Sequence, residues 1–107
     1  MSEIKLHRSL RHDNIVRFEH FFEDADNVYI LMELCENKTL LDLIIRRKQL
    51  HELECQCLIR QICRGLEHIH DNRIVHRDLK LGNLFLNDRM EVKIGDFGLA
   101  VKIEYYG

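Results

Sequence analysis

The sequence contains no proline and no tryptophan, and only five of its 107 residues are glycine. This composition excludes collagen-like sequences and linkers rich in proline or glycine. Long apolar runs are also missing, because the longest, at residues 28–32 and 40–45, are far below the roughly 20 residues that span a bilayer as a helix. No basic stretch followed by an apolar one opens the chain, which favours the cytosol or nucleus and gives no membrane partner.

An excess of charge of one sign is absent as well. The 16 Lys and Arg residues are set against 18 Asp and Glu residues, for a formal net charge of −2. Such a chain has no basic field that would gather nucleic acid, so we predict no nucleic-acid partner. With 46% hydrophobic and 32% charged residues, the composition is that of a globular protein with room for one core.

The cysteines and histidines do not form a recognisable metal-binding pattern. The four cysteines include no C-x-x-C pair, and three of them fall within one helical pattern, which favours reduced thiols over a disulfide framework. His68 and His70 could indicate zinc, but residues two apart on a helix point to different faces. We therefore predict no zinc site.

The first half of the chain predicts a helix and then a hairpin. Apolar residues at steps of three and four predict a helix that follows Ser2 and Glu3 and ends at residues 11–14. Residues 15–22 and 28–34 are rich in β-branched and aromatic side chains, and the acidic stretch between them is typical of a hairpin turn.

The second half predicts two helices and three short extended pieces. A short helix through residues 40–45 has Thr39 as its N-cap, and a long helix carries one apolar stripe from Cys55 to Ile69. Extended pieces follow near residues 74–75, 84–86 and 92–94, and a turn joins the last two.

Polar residues suited to phosphoryl transfer occupy the gaps between these extended pieces. The sequence reads H-R-D-L-K-L-G-N from His76 to Asn83, and D-F-G begins at Asp96. Phosphoryl transfer uses a carboxylate near the attacking hydroxyl, a cation near the phosphate and oxygen ligands for magnesium. The spacing H-R-D-x-x-x-x-N followed by D-F-G matches the protein kinase signature. In the alternative, Asp78 and Asp96 are surface turn residues and both motifs occur by chance.

On these motifs the chain resembles a eukaryotic protein kinase over its whole length, and in detail it is most similar to polo-like kinases. Lys80, two residues after Asp78, is the form found in Ser/Thr rather than tyrosine kinases. The segments that carry the detailed resemblance are Glu3-Ile4, His7 to Leu10, Phe21 to Asp24, Met32 to Cys35, His76 to Asn87 and Val92 to Ala100.

The resemblance implies an α+β fold of the protein kinase kind, present in part. Residues 1–34 would be a remnant of the N-lobe with helix αC and part of its sheet. Residues 35–107 would be a portion of the C-lobe that follows the hinge and holds the catalytic and D-F-G loops, with no second domain. The family's glycine-rich strands, ATP lysine and A-P-E segment do not occur in the 107 residues, so we expect a fragment that is inactive alone. In the alternative, the chain is a truncated, non-catalytic binding or competing module.

The implied activity is ATP-dependent phosphorylation of serine or threonine in protein substrates, with Mg²⁺. Asp78 would accept or orient the proton of the substrate hydroxyl, and Lys80 would steady the transferring phosphate. Asn83 and Asp96 would hold magnesium. The resemblance also implies a role in the cell cycle at the centrosome or spindle.

The remaining implied roles concern the nucleotide. Met32 would be the gatekeeper residue beside the adenine, with the Glu33 carbonyl and the Cys35 amide as the hinge hydrogen-bonding groups. Phe85 would pack under the adenine ring. Glu3 would be the αC glutamate that pairs with a lysine on a preceding strand.

Two further implications concern regulation. His7, Phe18, His76 and Phe97 match the stacked column that links the two lobes of a kinase. Arg77, before the catalytic aspartate, is the form expected where a phosphate on the activation loop switches the enzyme on.

Overall fold

The computed structural model describes residues 3–103. Ser2 at the predicted start of the first helix, and the outer ends of the two predicted lobe ranges, lie outside the described residues. The elements in chain order are α1 Glu3–Arg8, β1 Phe18–Glu23, β2 Val28–Met32, α2 Leu40–Arg47, α3 Glu52–Asp71, β3 Ile74–Val75, a 3-10 turn Leu81–Asn83, β4 Leu84–Leu86, β5 Val92–Ile94 and β6 Val101–Lys102. The expected α+β fold is confirmed.

The strands within the described range pair as three small antiparallel sheets. β1 pairs with β2, β3 with β6, and β4 with β5. The last of these is a local hairpin closed by the predicted turn. There the side chain of Asn87 accepts hydrogen bonds from the Arg89 and Glu91 amides at 3.1 and 2.8 Å. A short polar side chain that bonds to its own backbone in this way stabilises a tight turn.

The start of α2 is fixed by a capping box. The hydroxyl of Thr39 accepts a hydrogen bond from the Asp42 amide, and the Asp42 carboxylate accepts one from the Thr39 amide. These bonds satisfy donors that an isolated helix terminus leaves without partners. The predicted N-cap at Thr39 is confirmed.

The core lies between α3, β4, β5 and the end of α1. Leu86, Val92, Ile94 and Phe97 are fully buried there. Helix α3 approaches β5 closely at Gly65, where an added Cβ would lie 2.8 Å from Cδ1 of Ile94 and 2.9 Å from the backbone carbonyl oxygen of Asn14, which cannot move aside easily. A glycine is therefore needed in the middle of this helix.

The apolar stripe of α3 is only partly covered by residues 3–103. Leu58 and Ile69 are buried, and Ile62 and Leu66 pack against the core. Ile59, by contrast, is 58% exposed. One side of the predicted stripe thus packs on the core and the other faces solvent.

The predicted strand at residues 15–22 is wrong at its start, because β1 begins only at Phe18. Residues 14–16 instead pair with β5: the Val16 amide donates to the Ile94 carbonyl at 2.9 Å, and the Ile94 amide donates to the Asn14 carbonyl at 2.8 Å. Distant backbone pairing therefore replaces the local pairing that the sequence pattern predicts.

No helix within residues 3–103 combines the length and apolar character needed to span a membrane.

Candidate active site

His76 connects the two loops that carry the H-R-D and D-F-G motifs, which contain Asp78 and Asp96. Its Nδ1 accepts a hydrogen bond from the Asp78 amide at 3.1 Å, and its Nε2 lies 2.8 Å from the Gly95 carbonyl. Since Nδ1 is the acceptor in the first bond, Nε2 carries the proton and donates to Gly95. The imidazole is 2% exposed, so it holds the Asp78 loop next to the start of the Asp96 loop without competition from water.

Asn83 orients the carboxylate of Asp78. Its Nδ2 donates to the Asp78 backbone carbonyl at 2.7 Å and to Asp78 Oδ2 at 3.2 Å. The ammonium of Lys80 lies 3.7 Å from the other oxygen, Asp78 Oδ1. The three residues predicted to be catalytic therefore lie together in one loop, with Asn83 buried and Lys80 exposed.

The Asp96 loop begins with a backbone conformation that few residues adopt. Asp96 has a φ of 56°, in the left-handed region that aspartate tolerates better than bulky residues do. Its Oδ1 accepts a hydrogen bond from the Gly98 amide at 3.2 Å. The Gly95 amide donates to the Asn83 carbonyl at 2.9 Å, which joins this loop directly to the Asp78 loop.

The donor atoms of these loops fit magnesium. Because Asn83 Nδ2 donates twice to Asp78, its Oδ1 is directed elsewhere, and neither this oxygen nor Asp96 Oδ2 has a protein partner within residues 3–103. The described residues contain no cluster of three or more His, Cys, Asp or Glu residues that could enclose a metal. Magnesium commonly binds through one or two carboxylates together with substrate phosphates and water, so a sparse oxygen donor set is suitable.

A cleft of about 490 Å³ opens beside the Asp96 loop. Its lining includes the five residues with implied roles at the nucleotide, together with Asp96, which is implied to hold the nucleotide's magnesium. Three further residues that line the cleft were not predicted from the sequence, namely Val16, Leu34 and Gly95. The complete lining is Glu3, Val16, Met32, Glu33, Leu34, Cys35, Phe85, Gly95 and Asp96.

Gly95 makes room for the aromatic wall of this cleft. A Cβ at this position would lie 2.6 Å from Cε2 of Phe85 and 3.2 Å from Cγ2 of Val16. Only glycine lets the ring of Phe85 lie against the backbone there. In the sequence, this contact with Phe85 is indicated by the glycine immediately before Asp96.

The segment after β2 offers backbone groups to the cleft. In the described part of the chain, neither the Glu33 carbonyl nor the Cys35 amide makes a hydrogen bond within the protein. Burial, with a smaller contribution from the nearby Glu33 carboxylate, raises the pKa of the Cys35 thiol. The thiol is therefore held in its neutral form next to an available donor and acceptor.

Four aromatic side chains stack between α1, β1 and the two loops. The ring centroids of His7 and Phe97 are 4.7 Å apart, and those of Phe97 and His76 are 5.0 Å apart. His7 also contacts Phe18 edge-on at 5.7 Å. Burial is the largest effect on His7 and lowers its pKa below the usual 6.5, which favours a neutral imidazole in this stack.

Arg77 is exposed and has a φ of 66°. Its Nε donates to the Leu99 carbonyl at 2.8 Å. The side chain therefore extends from the Asp78 loop towards the segment that follows the Asp96 loop.

Comparison with known proteins gives consistent results. The sequence matches the protein kinase domain family over residues 1–106. It is 64% identical over 107 residues to the probable serine/threonine-protein kinase CCRP1 of Zea mays, covering 100% of this chain and 17% of that protein.

Two animal proteins are similar to a comparable degree. Identity is 59% over 105 residues with the serine/threonine-protein kinase polo of Drosophila melanogaster, and 56% over 105 residues with the serine/threonine-protein kinase PLK1 of Xenopus laevis. Each match covers 98% of this chain and 18% of the relative. The chain thus spans less than a fifth of the length of these relatives.

Proposed function

Because the chain belongs to the protein kinase domain family, we propose that it carries part of the active site of a polo-like Ser/Thr kinase, which transfers the γ-phosphate of ATP to protein substrates. The observation that carries this proposal is the junction of two loops beside one cleft. His76 and Asn83 join the loop of Asp78 to the loop of Asp96 through hydrogen bonds. Positioning and electrostatic stabilisation are the main contributions of a protein to phosphoryl transfer.

Asp78 acts on the substrate hydroxyl in this proposal. Its carboxylate is held by Asn83 and is 28% exposed, so a substrate can reach it while its orientation stays fixed. It orients the serine or threonine hydroxyl and accepts its proton. Lys80 is charged and exposed beside it, and its ammonium compensates negative charge on the transferring phosphate.

Asn83 and Asp96 hold magnesium through the oxygens that make no bond within the protein. Magnesium, when bound, compensates the charge of the ATP phosphates. The contribution of the chain is to place one amide oxygen and one carboxylate oxygen on loops that are hydrogen-bonded to each other.

The adenine ring binds in the cleft next to Met32 and against Phe85. Its amino group donates to the Glu33 carbonyl, and a ring nitrogen accepts from the Cys35 amide. Both backbone groups are available for this purpose. A largely apolar cleft with a few fixed polar groups is the usual form of a cofactor site.

The same proposal includes the division into lobes. Residues 1–34 belong to the N-lobe and residues 35–107 to the C-lobe, with Glu3 as the αC glutamate. The 107 residues contain no lysine before Glu3 and no glycine-rich strand pair. Residues 1–107 by themselves are therefore expected to transfer phosphate slowly or not at all, since the phosphates lack a cation and shielding from water.

The test is phosphate transfer by the longest native polypeptide that contains residues 1–107. Asp78→Asn and Asp96→Asn should each lower the rate on a serine peptide by roughly 10²-fold or more, as expected for a general base or a metal ligand. Asp88→Asn, at an exposed position of the β4–β5 turn, is the matched control and should leave the rate unchanged. Full activity of Asp78→Asn, or transfer to tyrosine instead of serine, would contradict the proposal.

A further inference from the structure

One lysine is buried at a position that the proposed chemistry does not use. Lys93 lies in β5 between Val92 and Ile94, and it is 8% exposed. Lysine is almost never buried to this degree unless it is paired, because the loss of water around an ammonium is costly. The burial of Lys93 was not predicted from the sequence, because a lysine in a short strand normally faces solvent.

The partner of Lys93 is Glu33. The ammonium lies 3.6 Å from Glu33 Oε2, and the two side chains are 10% and 14% exposed. The ion pairs Arg17–Glu19, Arg47–Glu54, Lys80–Asp78 and Arg89–Glu91 each have at least one side chain more than 40% exposed. The pair thus differs from the solvated pairs, which contribute little to a fold.

Glu33 is also held on its other side. Its Oε1 accepts a hydrogen bond from the Arg17 amide at 2.7 Å, and its own amide donates to the Arg17 carbonyl at 2.9 Å. One carboxylate therefore links the residue before β1 to Lys93 in β5. These two attachments fix the segment that follows β2.

Other charged residues surround the pair. Arg11, Arg17 and Asp13 line a small cavity together with Glu33 and Lys93. Arg17 is paired with Glu19 through its side chain, and Asp13 makes no ion pair within residues 3–103. The carboxylate of Glu33 is thus the one that the structure places on Lys93.

The two segments that the Lys93–Glu33 ion pair joins both contribute to the cleft. β5 continues directly into Gly95 and Asp96, and Glu33 supplies the carbonyl that the proposed function assigns to adenine. We propose that Lys93 is a positioning residue for adenine recognition, which holds the Glu33 backbone at a fixed place relative to the Asp96 loop through its ion pair with the Glu33 side chain. This inference rests on the proposed function, because it requires adenine to bind at Glu33 and Cys35.

A purely structural role predicts a different outcome. Replacing a buried ion pair by apolar groups is often neutral for stability, whereas removing one partner leaves a buried charge without compensation. Either effect on stability alone changes the affinity of every cleft ligand equally. A positioning role instead changes the preference between ligands that differ at the group facing the Glu33 carbonyl.

The experiment compares adenosine with purine riboside, which lacks the amino group. Dissociation constants are measured by calorimetry well below the unfolding temperature, for the longest native polypeptide that contains this chain. The unmodified protein should prefer adenosine by roughly tenfold, the value of one net hydrogen bond. Lys93→Met and Glu33→Gln should reduce this preference to less than about threefold. Lys93→Arg, which keeps the charge, should retain it.

Lys102→Met is the matched control, because Lys102 is an exposed lysine on strand β6, and it should keep the full preference. If Lys93→Met does not fold, Glu33→Gln decides the question, since glutamine retains an acceptor for the Arg17 amide. An unchanged preference in a folded variant would overturn this inference and leave the proposed function standing. No binding of adenosine by the unmodified protein would overturn both.

Discussion

The antiparallel pairs β1–β2 and β4–β5 have the same topology and opposite environments. All five residues of β2 are exposed, whereas all three residues of β5 are buried. Helix α3 packs on β5 and α2 packs on β4. In β1–β2 the side chains mainly contact each other, as in the stacked pair Phe22 and Tyr29 at 5.1 Å.

This difference shows where the stability of a strand pair comes from. A two-stranded hairpin alone is marginal in water, even when its backbone bonds are complete. The β4–β5 pair gains burial of its side chains, and its open end carries both Asn83, just before β4, and Asp96, just beyond β5. The groups proposed to act on phosphate therefore stand on the better stabilised pair, whereas the exposed pair leads into the segment proposed as the hinge.

The strongest test of this contrast uses the same substitution in both pairs. Ile94→Ala should lower the free energy of unfolding by about 2–5 kcal/mol, because Ile94 is fully buried and a cavity remains. Ile30→Ala in β2 should cost less, about 1–1.5 kcal/mol, since Ile30 is 38% exposed. Urea unfolding followed by circular dichroism measures both values. Equal losses would mean that the two pairs are equally buried in the native protein.

A second test concerns the contact between the buried pair and the cleft. Gly95→Ala should destabilise the protein by about 1–3 kcal/mol, because the new methyl group overlaps the ring of Phe85. It should also weaken adenosine binding, since the ring can relieve the overlap only by moving. Gly82→Ala is the control, with no atom within 4 Å of the new Cβ. A neutral Gly95→Ala would show that Phe85 does not lie against this backbone.

The smallest expected effect concerns His7, which contacts Phe18 of the exposed pair and Phe97 beside the buried one. Its folded-state pKa lies below 6.5, so protons bind preferentially to the unfolded chain. The contribution of neutral His7 to the free energy of unfolding is complete above pH 6.5. It decreases as the pH falls below 6.5, by at most about 1.4 kcal/mol per pH unit for one proton.

The free energy of unfolding should therefore fall between pH 7.5 and 5.5. His7→Leu should make that fall smaller, while His20→Leu, at an exposed histidine of β1, should not. Identical pH profiles for the unmodified protein and His7→Leu would show that His7 is not buried in neutral form.

Much of this arrangement follows from the sequence. The alternation of apolar residues and the cap at Thr39 predicted the helices and the short strands of the second half. The spacing of the two motifs identified the kinase family, and the resemblance to that family implied six of the nine residues that line the cleft. Such local patterns are informative because periodicity, caps and turns depend on neighbouring residues.

What the sequence did not predict depends on distant partners. The late start of β1 results from pairing of Val16 with Ile94, and nothing near Val16 indicates that partner. The burial of Lys93 depends on Glu33, which is far away along the chain. Strand β6 and its pairing with the predicted piece at residues 74–75 were also not predicted, since a two-residue strand has no periodicity of its own.

The pairing of Ile15 and Val16 with Ile94 also has a consequence for synthesis. Ile15 and Ile94 are 79 residues apart in the chain, so they cannot meet until strand β5 has left the ribosome. At roughly 5–20 residues per second, this delay is several seconds. During that time the buried residues of α1 remain uncovered, and we expect nascent chains stalled before β5 to be cleaved by protease or bound by chaperones. The release of strand β5, rather than that of helix α1, therefore determines when these residues of the newly made chain become protected from protease.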